Sequence, residues 1–287
     1  MNSRKHTPLW SVYRESVLAT LRLVISQPIL LPLFILAFFL EGYLRSLTVV
    51  LPLGITGGFI VAFIRLAFVT YLFQWLIMAR EDQLPRGMGW FSWKGTSRAE
   101  DPWKHVRRNA RRERILDLIR LNSELFFSLL TVAFPLYLVQ LAVSLTQIPE
   151  LQLLYIIFTY LALNPLSETA IMTNFQGADI FRNTLIFMKR YFVAWLLPLL
   201  LPLSPYLIKI AAAPQAAITL QPLRSELLFL IATSDPIYPT ETLFLLTKAS
   251  LTTDPLLTTL LGTLLALLLT AFRLELYSRL TVSLQTP

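Results

Sequence analysis

Three groups of residues carry side chains suited to chemistry. Arg65 stands deep inside a long apolar run, about 15 Å along a helix from Ile55 and about 15 residues before Arg80. A guanidinium at that depth needs a carboxylate or water, and Glu41 and Glu168 are the two candidate partners. Gly54, Gly58 and Ala62 recur at every fourth position and, at about 100° per residue, share the face of Arg65. Such a small-residue face lets a neighbouring helix approach closely, which turns the charge into a bundle. The second group is Asn164-Pro165-Leu166-Ser167-Glu168, where Pro165 interrupts helical hydrogen bonding and Glu168 can accept or carry a proton. It either shapes an ion or solute path or ends a helix at interfacial water. The third is the stretch from Pro102 to Arg120, in which Trp103 and Val106 alternate with Arg107, Arg108, Arg111 and Arg112. That pattern suits anionic lipid headgroups or an acidic partner surface.

Other chemistries are poorly supplied. The 287 residues include no cysteine, which removes disulfides, iron-sulfur clusters and thiol catalysis. The two histidines, His6 and His105, have no Asp or Glu at metal-binding spacing, and no glycine loop is built to cradle phosphate. Serine catalysis lacks a histidine base within the apolar segments. We therefore expect no catalytic, cofactor or metal site and no enzymatic activity.

The elements that hold these residues follow from composition. Hydrophobic residues make up 55% of the chain and charged ones 15%, against about 25% charged in a soluble domain. Apolar runs near the thickness of a bilayer recur at 28–44, 53–78, 122–146, 151–172, 191–212 and 255–273. The expected fold is all-α: a polytopic membrane bundle of six spans with two or three amphipathic interfacial helices. The run at 151–172 contains the polar group at 164–168 and is either a full span or a short, broken or re-entrant one. We expect no cleavable signal ahead of the first run, since no small-residue cleavage site follows it.

Lys and Arg orient the chain, since basic loops stay cytoplasmic. Segment 98–114 carries Arg98, Lys104, Arg107, Arg108, Arg111, Arg112 and Arg114. Segment 179–190 adds Arg182, Lys189 and Arg190, and the C-terminal stretch adds Arg273 and Arg279. Segment 214–254 is acidic on balance and belongs outside. Both termini then lie in the cytoplasm of a bacterial inner-membrane protein. The formal charge of +8 is accounted for by these loops and implies no nucleic-acid partner.

Helical periodicity places Ser11, Arg14, Glu15, Arg22 and Ser26 in one stripe about 120° wide, with Val12, Tyr13, Val17, Leu21, Leu23 and Val24 outside it. A helix of this kind lies flat on the inner surface as an elbow. Asp179, Arg182, Asn183, Lys189 and Arg190 form a second such stripe. The echo extends to sequence: Tyr13-Arg14 is matched by Phe181-Arg182, and residues 28–33 (PILLPL) by 198–203 (PLLLPL). It fits either a parallel repeat or a shared composition. The expected map is a single membrane domain, 1–287. It runs as an elbow (1–27), two spans (28–78), a basic inner loop (79–121), two spans (122–176), a second elbow (177–190), a span (191–213), an outer loop (214–254), and a last span with its cytoplasmic tail (255–287).

In plan, with Arg14 to Pro32 as an elbow running into a Pro-containing first span, the chain resembles ABC-2-type transporter permeases. The resemblance implies a separate ATPase docking near Arg98 to Arg114 and two copies, or two related subunits, around a path. The second elbow makes it look also like uncharacterised multi-pass membrane proteins built from repeated elbow-plus-hairpin units. The first functional reading is thus a permease-like transmembrane subunit of a transport system. The alternative is a structural or assembly subunit of a larger membrane complex. Expected partners are anionic lipids and other protein chains or further copies of this one.

Overall fold

The computed structural model describes residues 9–50, 54–81, 119–173, 177–200 and 255–285. Among these residues the structure is all-helical, with no strand. In chain order the helices are α1 (Leu9–Ser26), α2 (Leu30–Val50), α3 (Gly54–Arg80), α4 (Ser123–Leu145), α5 (Pro149–Ala162), α6 (Leu166–Met172), α7 (Ala178–Leu196), which continues into a 3-10 turn at Leu197–Leu200, and α8 (Pro255–Gln285). Three are long and apolar enough to cross a bilayer, within Gly57–Arg80, Ser123–Leu145 and Leu260–Thr281. The helices Leu9–Ser26 and Leu30–Leu44 pass the same test only as a bent pair. The chain divides into two compact units, Arg22–Phe126 and the combination of Met1–Leu21 with Phe127–Pro287.

In the first of these units, α1 stops at Ser26 because the ring of Pro28 disfavours helical geometry at Gln27. The chain turns through 86° there before α2 begins, with the Leu30 amide donating to the Gln27 carbonyl. An apolar segment thus follows an amphipathic one at a sharp corner. Antiparallel packing of α2 on α3 buries Leu30, Phe34 and Ala37 together with the C-terminal half of α3, where Leu66, Val69, Phe73 and Leu76 are enclosed. Gln74 fastens the returning chain to α3. Its amide nitrogen donates to the Arg120 carbonyl at 2.9 Å and its oxygen accepts the Asn122 amide N–H at 3.0 Å. Asn122 in turn caps α4, accepting the Leu125 N–H on its side chain. The chain just ahead of α4 is therefore tied to α3, while Arg107, Arg108, Arg111 and Arg112 of the expected inner loop lie outside the described residues.

In the second unit, α4 is apolar on almost every side and buries little beyond Leu129 and Val132, the composition of a helix surrounded by lipid. The expected fourth span is broken. Pro165 can neither donate in the ladder nor leave room for the carbonyl four residues back. The helix consequently ends at Ala162 and restarts at Leu166. Neither piece, at 14 and 7 residues, reaches across about 30 Å of hydrocarbon alone.

The expected second elbow is the first part of α7. Ile180, Thr184, Phe187 and Met188 are buried, while Asp179, Arg182, Lys189 and Arg190 are exposed. Helical geometry lapses at Tyr191 (φ −120°, ψ 19°), where the basic stretch gives way to the apolar one. Residues 201–254, which hold the rest of the expected fifth span and the outer loop, lie outside the description. The echo between the elbows gains a structural term. Ser16 and Thr184, separated like Tyr13 and Phe181, are both fully buried. Each donates its hydroxyl at 2.8 Å to the carbonyl four residues earlier, of Val12 and Ile180.

One hydrogen bond between α1 and α7 follows from a proline. Pro198 has no N–H to give the Ala194 carbonyl, and the Tyr13 hydroxyl donates to that oxygen instead, at 2.7 Å. Val12 and Tyr13 pack there on a core of Phe187, Met188, Trp195, Leu276, Tyr277 and Leu280. Tyr13→Phe keeps the ring and orphans the carbonyl, so the purified full chain should lose about 1 kcal/mol in denaturant titration; an unchanged midpoint would show that water or lipid satisfies Ala194 equally well.

Candidate functional site

The break in the fourth expected span becomes a site because of what meets it. Asn164 and Glu168 flank Pro165 at the junction of α5 and α6, and α8 brings a cation to them. Arg273 Nε donates to Glu168 Oε1 at 2.5 Å, and one terminal nitrogen donates both to Glu168 Oε2 at 2.9 Å and to the Asn164 carbonyl at 2.7 Å. The planar fork of the guanidinium matches the two carboxylate oxygens, a fit that a lysine cannot reproduce. Glu168 Oε2 also accepts the Ser167 hydroxyl at 3.0 Å.

Trp195 of α7 closes the site. Its indole N–H donates to Asn164 Oδ1 at 2.8 Å, and the Arg273 guanidinium carbon lies 5.2 Å from its ring centroid. Two contacts thus bind a single ring to both sides of the polar cluster, one by hydrogen bonding and one by cation–π attraction. Phe187 and Tyr277 wall it in, stacked at 4.6 Å and each meeting Trp195 edge-on, at 5.5 and 6.1 Å. Glu168 and Trp195 are 0% exposed and Arg273 4%. Every charge in the cluster is therefore matched at short range by protein groups. Among the described residues the only buried side-chain nitrogen or oxygen lacking a partner is Nε of Arg279, outside this cluster.

Arg273 is the residue of this cluster that the sequence reading misplaced. Counting it with the basic C-terminal stretch ends the last span at 273, but α8 continues unbroken to Gln285 and buries this side chain. A signal was present: Ala266, Thr270, Arg273 and Tyr277 recur at spacings of four, three and four, one face of a helix, and all four are buried. The charge shares the arc of the small and polar residues. Trp195 gave no signal beyond its type.

The other candidates fall elsewhere. Arg65 pairs with Glu41, Nε to Oε1 at 3.3 Å, with both side chains 21% exposed. Glu41 is thus its carboxylate, while Glu168 belongs to Arg273. Asn164 and Glu168 come together as expected of one polar site, and Arg65 is paired in the other unit. Of the small-residue face, Gly54 opens α3, Gly58 is exposed and Ala62 half-buried; the adjacent Gly57 is buried. Among the described residues no three of His, Asp and Glu gather in a way that could hold a metal ion.

Burial sets the cost of disturbing the cluster. Removing one partner leaves an uncompensated charge, so Arg273→Leu should destabilise the full chain by about 3–5 kcal/mol. Arg65→Leu, on a partly exposed pair, should cost less. The double variant Glu168→Leu/Arg273→Leu removes both charges and should recover most of the loss from the single change. Denaturant titration in detergent gives all three values, and equal losses for Arg273→Leu and Arg65→Leu would contradict the ranking.

Compared with protein-family models, with curated proteins and with solved structures, the chain finds no match in any of the three.

Proposed function

We propose that the chain is a non-enzymatic, multi-pass subunit of the bacterial inner membrane that helps to hold a larger membrane complex together, with six spans and both termini in the cytoplasm. The three apolar helices of spanning length support the membrane placement. What favours a structural role is the state of the buried charges. Both oxygens of Glu168 and the fork of Arg273 are engaged by each other, Asn164 and Ser167. A carboxylate so occupied serves as a latch between helices more readily than as a proton carrier.

A second reading rests on Arg65 and Glu41. Their pair is looser and partly open, on two helices rich in exposed apolar side chains such as Leu36, Phe39 and Ile60. An accessible intramembrane charge pair suits a permease-like subunit energised by a separate ATPase.

Purification of the full chain in mild detergent separates the readings. Companion membrane proteins without an ATPase are expected; a stoichiometric ATPase would favour the permease. Topology has its own test, helped by the absence of native cysteine. A cysteine placed between residues 98 and 114 should react with an impermeant reagent only after the cells are opened, and one between 214 and 254 in intact cells. The reverse pattern would overturn the orientation.

A further inference from the structure

The outward face of α7 combines two kinds of side chain that ordinary water and ordinary hydrocarbon each accommodate badly together. Arg182, Leu185, Ile186, Lys189 and Arg190 are all exposed and fall in one arc about 140° wide. Leu185 is 44% and Ile186 51% exposed, well above the buried apolar residues on the opposite side of the helix. Among the described residues no carboxylate pairs with Arg182 or Lys189. The Arg190 guanidinium lies over the neighbouring Tyr191 ring at 5.6 Å. The only acidic side chain on this stretch is Asp179.

One environment satisfies the whole arc. At the boundary of a bilayer, leucine and isoleucine enter the acyl layer while lysine and arginine extend their charged ends to the headgroups. Three cations against one carboxylate select negatively charged headgroups over zwitterionic ones. The same mixture recurs on α1, where Arg14 and Arg22 are exposed among Trp10, Val17, Leu21 and Ile25. Both helices also lead directly into apolar segments, as a helix at the boundary must.

We infer that the Arg182 to Arg190 face of α7 is a binding surface for anionic phospholipid, with Arg182 and Lys189 as its principal headgroup contacts. The inference needs the membrane placement proposed above but not the choice between assembly subunit and permease. Its result therefore leaves the copurification experiment untouched.

The test uses the full chain in a neutral detergent, titrated with phosphatidylglycerol, phosphatidylcholine or glycerol phosphate, with thermal unfolding followed by tryptophan fluorescence. Phosphatidylglycerol should raise the midpoint at much lower concentration than phosphatidylcholine, and glycerol phosphate should have no effect. Arg182→Gln/Lys189→Gln should leave the lipid-free midpoint in place, because both side chains are exposed, and weaken the phosphatidylglycerol response about fivefold per charge removed, or roughly 25-fold. Arg182→Lys/Lys189→Arg should keep it, and serves as the folded control. Equal responses to the two lipids, or an unweakened double variant, would overturn the inference. A full response to glycerol phosphate would also overturn it, assigning the site to a free anion. So would loss from the double variant of a copurifying acidic protein with the phosphatidylglycerol response intact.

Discussion

A charge withdrawn from water must find its opposite within a few ångströms or the segment that carries it does not stay buried. Arg273 and Glu168 obey that constraint from helices far apart in sequence, and much of the second unit is arranged around their meeting. Because Pro165 breaks the helix, a backbone carbonyl at Asn164 is left facing α8 and Glu168 starts a new helical turn beside it. The break supplies two acceptors where an uninterrupted span would have supplied one. Trp195 then ties α7 to the same cluster through the Asn164 side chain. The pair is thus less an addition to an apolar core than the feature that sets which faces of α6, α7 and α8 turn inward.

How much of this could be read from the sequence depended on whether a residue's surroundings follow from its own stretch of chain. The polar break at 164–168 was legible because proline acts locally. So was the boundary between the second elbow and the apolar segment after it, placed between 190 and 191, where helical geometry lapses at Tyr191. The all-helical fold and its apolar spans follow from composition. Arg273 was not legible as a buried group. A basic residue near the end of an apolar run reads the same whether the helix stops at an interface or carries on into protein, and only the partner on α6 distinguishes the two. Arg65 shows the complementary limit, since depth along the helix announced a partner but proximity alone chose Glu41 over Glu168. Three helices long and apolar enough to span stand among the described residues; the remaining expected spans correspond to one member of a bent pair, a broken pair and a segment running into residues 201–254.

The two elbows extend the argument from composition to geometry. Each buries a hydroxyl at the same register and returns it to the carbonyl a turn earlier, and α1 repeats the arrangement at Thr20. A hydroxyl satisfied in this way can sit at a close helix contact without an external partner, which a larger polar residue could not do. The resemblance between residues 13–14 and 181–182 therefore has a physical counterpart in packing, beyond the shared abundance of leucine and proline. It stops short of identity, because Tyr13 has a hydroxyl to offer the Ala194 carbonyl and Phe181 has none.

That difference bears on how two similar elements come to occupy different roles. Pro198 removes the donor that the Ala194 carbonyl would otherwise have had, at the point where α7 passes into its 3-10 turn. The open acceptor lies against α1, and a tyrosine on α1 fills it. A phenylalanine there would leave the carbonyl to compete for water in an apolar setting, a penalty comparable to the hydrogen bond itself. The proline therefore specifies its neighbour: it makes one aromatic residue type on α1 better than another of nearly equal size. Arg273 acts on a larger scale, meeting the Asn164 carbonyl that is exposed where the helix breaks beside Pro165. In both places a residue that disrupts local hydrogen bonding generates the long-range contact that orders the unit.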